Sequence, residues 1–308
     1  MTSSRFGRVG VLAGGPSSER EISLRSGKAV HNALIQEGID AIFLDVCENV
    51  YDIIKAEKID LAFIALHGRF GEDGTVQKIL EDAGVPYTGS GPAASRLALN
   101  KIASKDIFLK SGIPVAKHVV IEKGSPKTKY IWPMGFPVVV KPQFEGSSIG
   151  LSVVKDKKAL PEAIDKAFEY GSKIILEEYI DGRELTVGML DDEPLPVIEI
   201  VPKQRVYDYK AKYNDPDTKY LVPAPIDEDA AKKAKMLGKL SHTVLGCRSF
   251  SRTDIIMDKS GKMFVLEVNT IPGMTERSLL PKAAKACGID FNKLCIKLIE
   301  NAVKGRAK

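Results

Sequence analysis

Apolar residues run almost unbroken through residues 8–14 (Arg-Val-Gly-Val-Leu-Ala-Gly), the length of a short buried strand, and then recur at helical spacing from Ser23 to Gly38. Ala41 to Val46 and Leu61 to Leu66 again have strand length, with a helical stretch from Tyr51 to Lys58 between them. Strands that alternate with helices need crossover connections, so residues 1–96 are expected to form a parallel α/β layer. A further helix is expected from Ala93 to Ser111, stopped by Gly112 ahead of Pro114, and the first unit is taken to end near residue 97. Beyond the Pro/Lys-rich loop 122–133 the pattern changes. Phe136 to Val140 and Leu151 to Val154 read as strands around a Gly/Ser loop, Leu160 to Tyr170 as a helix and Lys173 to Glu178 as another strand, an α+β unit over 97–184. Residues 185–308 form a second α+β unit, with several strands, a polar loop containing Tyr207 to Tyr220, a Lys-rich helix 228–245, a hairpin and a C-terminal helix. No internal repeat is visible.

At roughly 150 residues per domain, a chain of 308 residues suggests about two domains, and the pattern divides it further into three units. A content of 44% hydrophobic and 28% charged residues excludes fibrous and disordered classes. The net charge of +5 is too small at this length to imply a nucleic-acid or membrane partner, although it suits an anionic substrate. Cys47, Cys247, Cys287 and Cys295 lack C-x-x-C spacing, which disfavours zinc sites and a disulfide framework, so reduced thiols are expected. The first residues lack the apolar core of a signal peptide, and no apolar run approaches the ~20 residues needed to span a bilayer. A cytoplasmic protein is expected.

The most informative segment is 252–269, where Asp258 to Gly261 is a turn between two alternating strands. With Ile255, Met257, Phe264, Leu266 and Val268 on the apolar face, Arg252, Asp254, Glu267 and Asn269 gather on the other. Three hard oxygen donors beside a guanidinium suit Mg²⁺ and nucleotide phosphates, the alternative being a solvated charged face. Upstream, Gly14 to Glu21 joins the first strand to the first helix, with Ser18 and Glu21 spaced as a capping box and Glu19 able to hold an ammonium group. His67 sits where a buried strand runs into a glycine-rich loop, the end of a parallel sheet at which ligands bind. His31, His118 and His242 read as structural or solvent-facing.

Lys141 to Gly150 reads as a glycine-rich flap whose backbone N–H groups can cradle phosphates. Gly89 to Ala94 matches G-x-G-x-x-A, but outside the first βα turn; Gly146 to Gly150 matches G-x-S-x-G without the strand-turn-helix context. A P-loop is absent, so any ATP site is of another type. The Gly273 N–H can face an oxyanion, Ser278 lies near a helix start, and the aromatic loop Tyr207 to Tyr213 has the composition of a lid. The lysines of helix 228–245 read as a solvated face.

Taken together, Leu12 to Ser23, Ala65 to Gly74, Tyr87 to Gly91, Lys141 to Gly150, Tyr207 to Tyr213 and Glu267 to Thr275 closely resemble the D-alanine-D-alanine ligases of the ATP-grasp superfamily, over nearly the whole chain. The resemblance implies a three-domain architecture: a parallel α/β domain (1–96), then two α+β lobes (97–184 and 185–308) that sandwich ATP. It implies phosphorylation of one D-alanine and attack by the amine of a second, for peptidoglycan precursor synthesis, with Mg²⁺ or Mn²⁺, as two ions, and a homodimer. Glu19 would hold the first substrate's ammonium, His67 would lie beside its carboxylate, and Ser147 and Tyr213 would join Glu19 in closing flap and loop. Lys101 and Lys141 would bind ATP phosphates, and Lys212 would reach the transferred one. Glu145 and Ser148 would contribute from the flap, and Glu177, Glu178, Tyr179, Ile180 and Glu184 would form the adenine and ribose segment. Asp254, Glu267 and Asn269 would hold the metal, Arg252 and the Gly273 N–H would stabilise the oxyanion, and Ser278 with Leu279 would meet the second carboxylate. Two positions depart from the family's pattern: Asn100 stands where Asp is expected and Ser251 where Gly is common. Tyr213 is associated with a D-alanine acceptor, which favours the dipeptide over D-alanyl-D-lactate. Another ATP-grasp carboxylate-amine ligase and a catalytically idle nucleotide-binding protein are the competing readings.

Overall fold

The computed structural model describes residues 5–47, 49–125, 135–202 and 218–304. Strands β1 (Val9–Gly14), β2 (Ala41–Val46) and β3 (Leu61–Ile64) form a parallel sheet in the order β2-β1-β3, connected through helices α1 (Arg20–Gln36) and α2 (Val50–Ala56), with α3 (Thr75–Asp82) following. Alternate residues of β1 serve opposite cores. Val9 and Val11 pack with Val30 and Leu34 of α1, while Leu12 packs with Ile54 and Val76 on the other face. That double burial is why β1 reads as a continuous apolar run rather than an alternating one.

The single helix expected from Ala93 to Ser111 is two, α4 (Pro92–Leu99) and α5 (Lys101–Lys110). Asn100 breaks it: its backbone is extended (ψ 92°) and its side chain accepts from Ala103 N at 3.2 Å, capping α5. The expected junctions at 97 and 184 fall inside α4 and inside strand β8 (Gly182–Leu190).

A second sheet is antiparallel, with β4 (His118–Glu122), β5 (Val138–Pro142), β6 (Ser152–Val154) and β7 (Lys173–Glu178) in the order β4-β7-β5-β6, and α6 (Leu160–Ala167) covers its apolar face. The third has six strands: β8, β9 (Glu193–Pro194), β10 (Ile198–Val201), β11 (Lys219–Leu221), β12 (Phe250–Asp258) and β13 (Met263–Asn269). Its order is β11-β10-β8-β12-β13, with β9 paired to β8. Helix α7 (Glu228–Val244) packs on it through Ala234 and Leu237, with α8 (Leu279–Ala286) and α9 (Phe291–Lys304) completing the chain. Lys232 and Lys239 of α7 make exposed ion pairs, with Glu228 and Glu193.

The β12-β13 hairpin corrects one expectation. Asp254 faces Glu267, but Ile255 faces Val265, so Leu266 is an extra residue, a β-bulge. The bulge resets the alternation, and the core face therefore carries Ile255 and Met257 with Met263, Val265 and Val268, without Phe264 or Leu266. The polar set is unaffected, because the bulge lies on the turn side of Glu267.

Candidate active site

The three sheets converge on a cleft of about 260 Å³ whose lining includes Glu19, His67, Lys101, Ser147, Arg252 and Asn269. Glu19 precedes α1 and is only 5% exposed. The Ser147 hydroxyl donates to Glu19 Oε1 across the cleft. Ser147 and Ser148 both have positive φ (49° and 61°), a costly conformation for non-glycine residues that brings the flap turn against the carboxylate. Two glycines make room for it: a Cβ at Gly68 or Gly146 would stand 2.7 or 2.9 Å from Glu19 Oε2. The expected Ser18-Glu21 capping box does not form. Its place is taken by Ser17, whose hydroxyl accepts from Glu19 N at 3.1 Å and donates to the His67 carbonyl at 2.7 Å.

His67 is buried, with Nε2 3.1 Å from Ser26 Oγ. Burial lowers its pKa, against the opposing pull of the Glu19 charge. A neutral imidazole can accept at Nε2 from the Ser26 hydroxyl, which itself accepts from Met274 N at 3.3 Å. Ser26 thereby ties His67 to the loop that carries Gly273.

Beside them lies a carboxylate that sequence reasoning missed. Glu72 accepts from Gly68 N (2.7 Å) and Ile271 N (3.3 Å), and burial, then the charge of Glu19, pushes its carboxyl up to about 8. The loop Gly68 to Gly74 was singled out, but nothing in it distinguishes inward Glu72 from Asp73, which caps α3 by accepting from Thr75 N at 2.9 Å.

At the other end of the cleft, Lys101 Nζ donates to the Glu145 carbonyl at 2.7 Å and meets Glu267 Oε2 at 3.0 Å. Lys141 pairs with Glu177 Oε2, and Lys105, also missed, reaches Glu177 Oε1 at 2.5 Å. Burial pushes the Glu177 carboxyl up, but the two ammonium groups outweigh it and hold it at about 2. Burial also raises the Glu145 carboxyl, as does Glu19. Glu178 ends β7, Tyr179 and Ile180 connect it to β8, and Glu184 lies on β8; these four, with Lys141, Glu145, Ser148, Glu177 and Asp254, stand outside the cleft lining.

The proposed metal donors sit in direct cross-strand register, Arg252 opposite Asn269 and Asp254 opposite Glu267. Arg252 grips both oxygens of Asp254 (2.9 and 2.8 Å), and Thr186 donates to Asp254 Oδ1 at 2.7 Å. Asn269 Oδ1 accepts from Ile271 N at 3.1 Å. Among the described residues no three His, Cys, Asp or Glu side chains gather at one point; what the hairpin brings side by side is two carboxylates and an amide. Hard oxygens of this kind suit Mg²⁺, and each carboxylate rests here on a cation of this chain, Asp254 on Arg252 and Glu267 on Lys101. Ser278 stands at the N-cap position of α8 without a side-chain capping bond, its hydroxyl accepting from Thr275 N at 3.1 Å instead; Leu279 begins that helix, and both line the cleft with Gly273. Lys212 and Tyr213 lie outside the described residues.

A Ser-His-Asp arrangement does occur elsewhere: His242 Nδ1 lies 2.7 Å from Ser251 Oγ and Nε2 3.0 Å from Asp192 Oδ1. Ser251 is fully buried in β12, so it cannot meet a substrate, and His242 is structural as expected.

Two family models match the chain, the D-ala D-ala ligase N-terminus over residues 47–90 and the D-ala D-ala ligase C-terminus over 107–300. The chain is 46% identical to the D-alanine-D-alanine ligase of Citrifermentans bemidjiense over 295 residues, 96% of each chain. It is 45% identical to that of Geobacter sulfurreducens, covering 96% of this chain and 94% of the relative. Among solved structures, D-alanine-D-alanine ligase from Bacillus anthracis complexed with ATP superposes with a TM-score of 0.83 at 33% identity, over 97% of this chain and 98% of that one. The VanG D-Ala:D-Ser ligase of Enterococcus faecalis gives 0.82 at 30% identity, over 96% and 99%.

Proposed function

The chain belongs to the D-alanine-D-alanine ligase family, and from that premise we infer that its cleft joins two D-alanines at the expense of ATP, giving the dipeptide, ADP and phosphate for peptidoglycan precursor synthesis. The observation that carries this reading is the buried Glu19 carboxylate, closed by the Ser147 hydroxyl and sharing one cleft with Arg252, Glu267 and Asn269. Glu19 binds the ammonium of the first D-alanine, and neutral His67 lies beside its carboxylate. That carboxylate attacks the γ-phosphorus of ATP, the bond to the ADP oxygen breaks, and an acyl phosphate results. The amine of the second D-alanine, its own carboxylate held at Ser278 and Leu279, adds to the acyl carbon. Arg252 and the Gly273 N–H meet the oxyanion that forms; as it collapses the carbon–oxygen bond to phosphate breaks, phosphate leaves and the nitrogen gives up a proton.

An acyl phosphate would hydrolyse in water, so the flap carrying Ser147 and Ser148 has to cover it. Lys101 and Lys141 bind the phosphate chain, with Lys212 and Tyr213 assigned to the transferred phosphoryl group and to flap closure. Glu145 and the segment Glu177, Glu178, Tyr179, Ile180 and Glu184 hold the rest of the nucleotide. Asp254, Glu267 and Asn269 would hold Mg²⁺, which when bound neutralises phosphate charge. No described helix is long and apolar enough to cross a membrane. A cytoplasmic homodimer of three-lobed chains completes the proposal.

The test is phosphate release with ATP, Mg²⁺ and D-alanine, beside L-alanine, D-serine and D-lactate, with products weighed by mass spectrometry. Release with D-alanine alone and a D-alanyl-D-alanine mass are expected. A depsipeptide favoured in the mixture would overturn the acceptor assignment, and ATP binding without any release would overturn the activity.

A further inference from the structure

Lys105 has no part in the reading above, yet it is fully buried with its ammonium 2.5 Å from Glu177 Oε1. Its position follows from α5. Lys101, Ser104, Lys105 and Phe108 are the buried residues of that helix, spaced along one face, and Phe108 anchors it in the core beneath β8 and β12. One turn before Lys105, Lys101 reaches Glu267 of the hairpin. A single helix face therefore delivers one ammonium to the metal end of the site and one to β7. On the β5-β7 ladder Glu177 faces Val139, and Lys141, two residues along β5, is its diagonal neighbour on the same face. The Glu177 carboxylate is thus divided, with Oε1 on Lys105 and Oε2 on Lys141. Among the described residues Lys101, Lys105 and Lys141 meet Glu177 and Glu267, three cations on two anions, and the excess positive charge is costly until a further anion arrives. Held by Lys141 alone, the same carboxylate would close into a neutral pair.

We propose that Lys105 is a positioning residue for the nucleotide: by holding Glu177 Oε1 it fixes that carboxylate and leaves the Lys141 charge available to the phosphate chain of ATP. The inference rests on the reading of Lys141 and Glu177 as nucleotide ligands. Burial draws the Lys105 ammonium down to about 8 against the pull of Glu177, so its charge depends on that partner rather than on water.

The experiment is a double-mutant cycle on the full chain, read by calorimetric binding of the magnesium complex of a β,γ-imido ATP analogue and by KM for ATP and for D-alanine. Lys105→Met is expected to weaken nucleotide binding about tenfold or more while KM for D-alanine stays within about twofold. In a Glu177→Gln background the same substitution is expected to cost less than about twofold, and Lys105→Arg to recover part of the loss. If Lys105→Met does not fold, Lys105→Gln, which keeps a hydrogen-bond donor, takes its place in the cycle. Equal losses in both backgrounds, or native binding by the Lys105 variant beside impaired Lys141→Met, would overturn the proposal and leave the site reading intact. Native binding by Lys141→Met would overturn the site reading itself.

Discussion

Arg252 and Asp254 lie two residues apart on one face of β12, and the guanidinium of the first grips both carboxylate oxygens of the second at 2.9 and 2.8 Å. The fork occupies the carboxylate that is assigned to the metal and keeps a fixed positive charge on the cleft lining. Arg252→Ala is expected to retain ATP binding and to lower kcat about 100-fold or more, near 3 kcal/mol of transition-state stabilisation. Lysine cannot make the forked contact, so Arg252→Lys should recover little. Phosphate-release kinetics check both, and near-native turnover in the alanine variant would remove Arg252 from the oxyanion role.

Gly146 separates the substrate role of Glu19 from its structural one. A Cβ there would stand 2.9 Å from Glu19 Oε2, the end of a flexible side chain, so the fold can absorb the methyl group by displacing the carboxylate. Gly146→Ala is therefore expected to leave the thermal midpoint unchanged and to raise KM for D-alanine about tenfold, well beyond any rise in KM for ATP. Glu19→Gln should act in the same direction. An unchanged KM for D-alanine in both variants would contradict the assignment of Glu19 to the substrate ammonium.

Much of the site was legible because parallel-strand ends and hairpin alternation place side chains by rule. Glu19 and His67 follow from the first, and Arg252, Asp254, Glu267 and Asn269 from the second, in the register observed. Leu266 escaped because no residue type marks a bulge, and one extra residue reverses the face of everything on its turn side. Ser18 and Glu21 have the spacing of a capping box, but spacing does not reveal that Ser17 already holds the Glu19 N–H. Glu72 and Lys105 escaped for a common reason: hydrophobic pattern assigns charged residues to the surface, whereas each of these is paid for by partners distant in sequence. The one signal available for Lys105 was its spacing from Lys101 and Phe108 on a helix face whose other members are buried.

Asn100, where the resemblance leads us to expect Asp, caps α5 through its side chain. Its Oδ1 accepts from Ala103 N at 3.2 Å and from Gln143 Nε2 at 2.9 Å, and an aspartate oxygen can do both. Asn100→Asp is expected to change stability by less than about 0.5 kcal/mol, and Asn100→Ala to cost about 1 kcal/mol. Urea denaturation measures the two, and an alanine variant as stable as the parent would show that α5 is held by its buried face alone.

Glu72 should leave a signature in the pH dependence of stability. Its carboxyl titrates at about 8 in the fold, against 4.5 for an ordinary glutamate, first because it is buried and second because Glu19 is near. Between those two values the folded protein keeps a proton that the unfolded chain has released. Unfolding therefore releases a proton, and the contribution of Glu72, complete below about pH 4.5, is lost as pH rises through about 8. Glu72→Gln removes that titration. Glutamine can accept only one of the two N–H bonds, from Gly68 or Ile271, but that cost is the same at every pH. Thermal midpoints of the two proteins measured from pH 5 to pH 8.5 are thus expected to diverge in the variant's favour as pH rises. Parallel curves would mean that Glu72 is ionised in the fold, and that the Gly68 and Ile271 amides suffice to hold its charge beside Glu19.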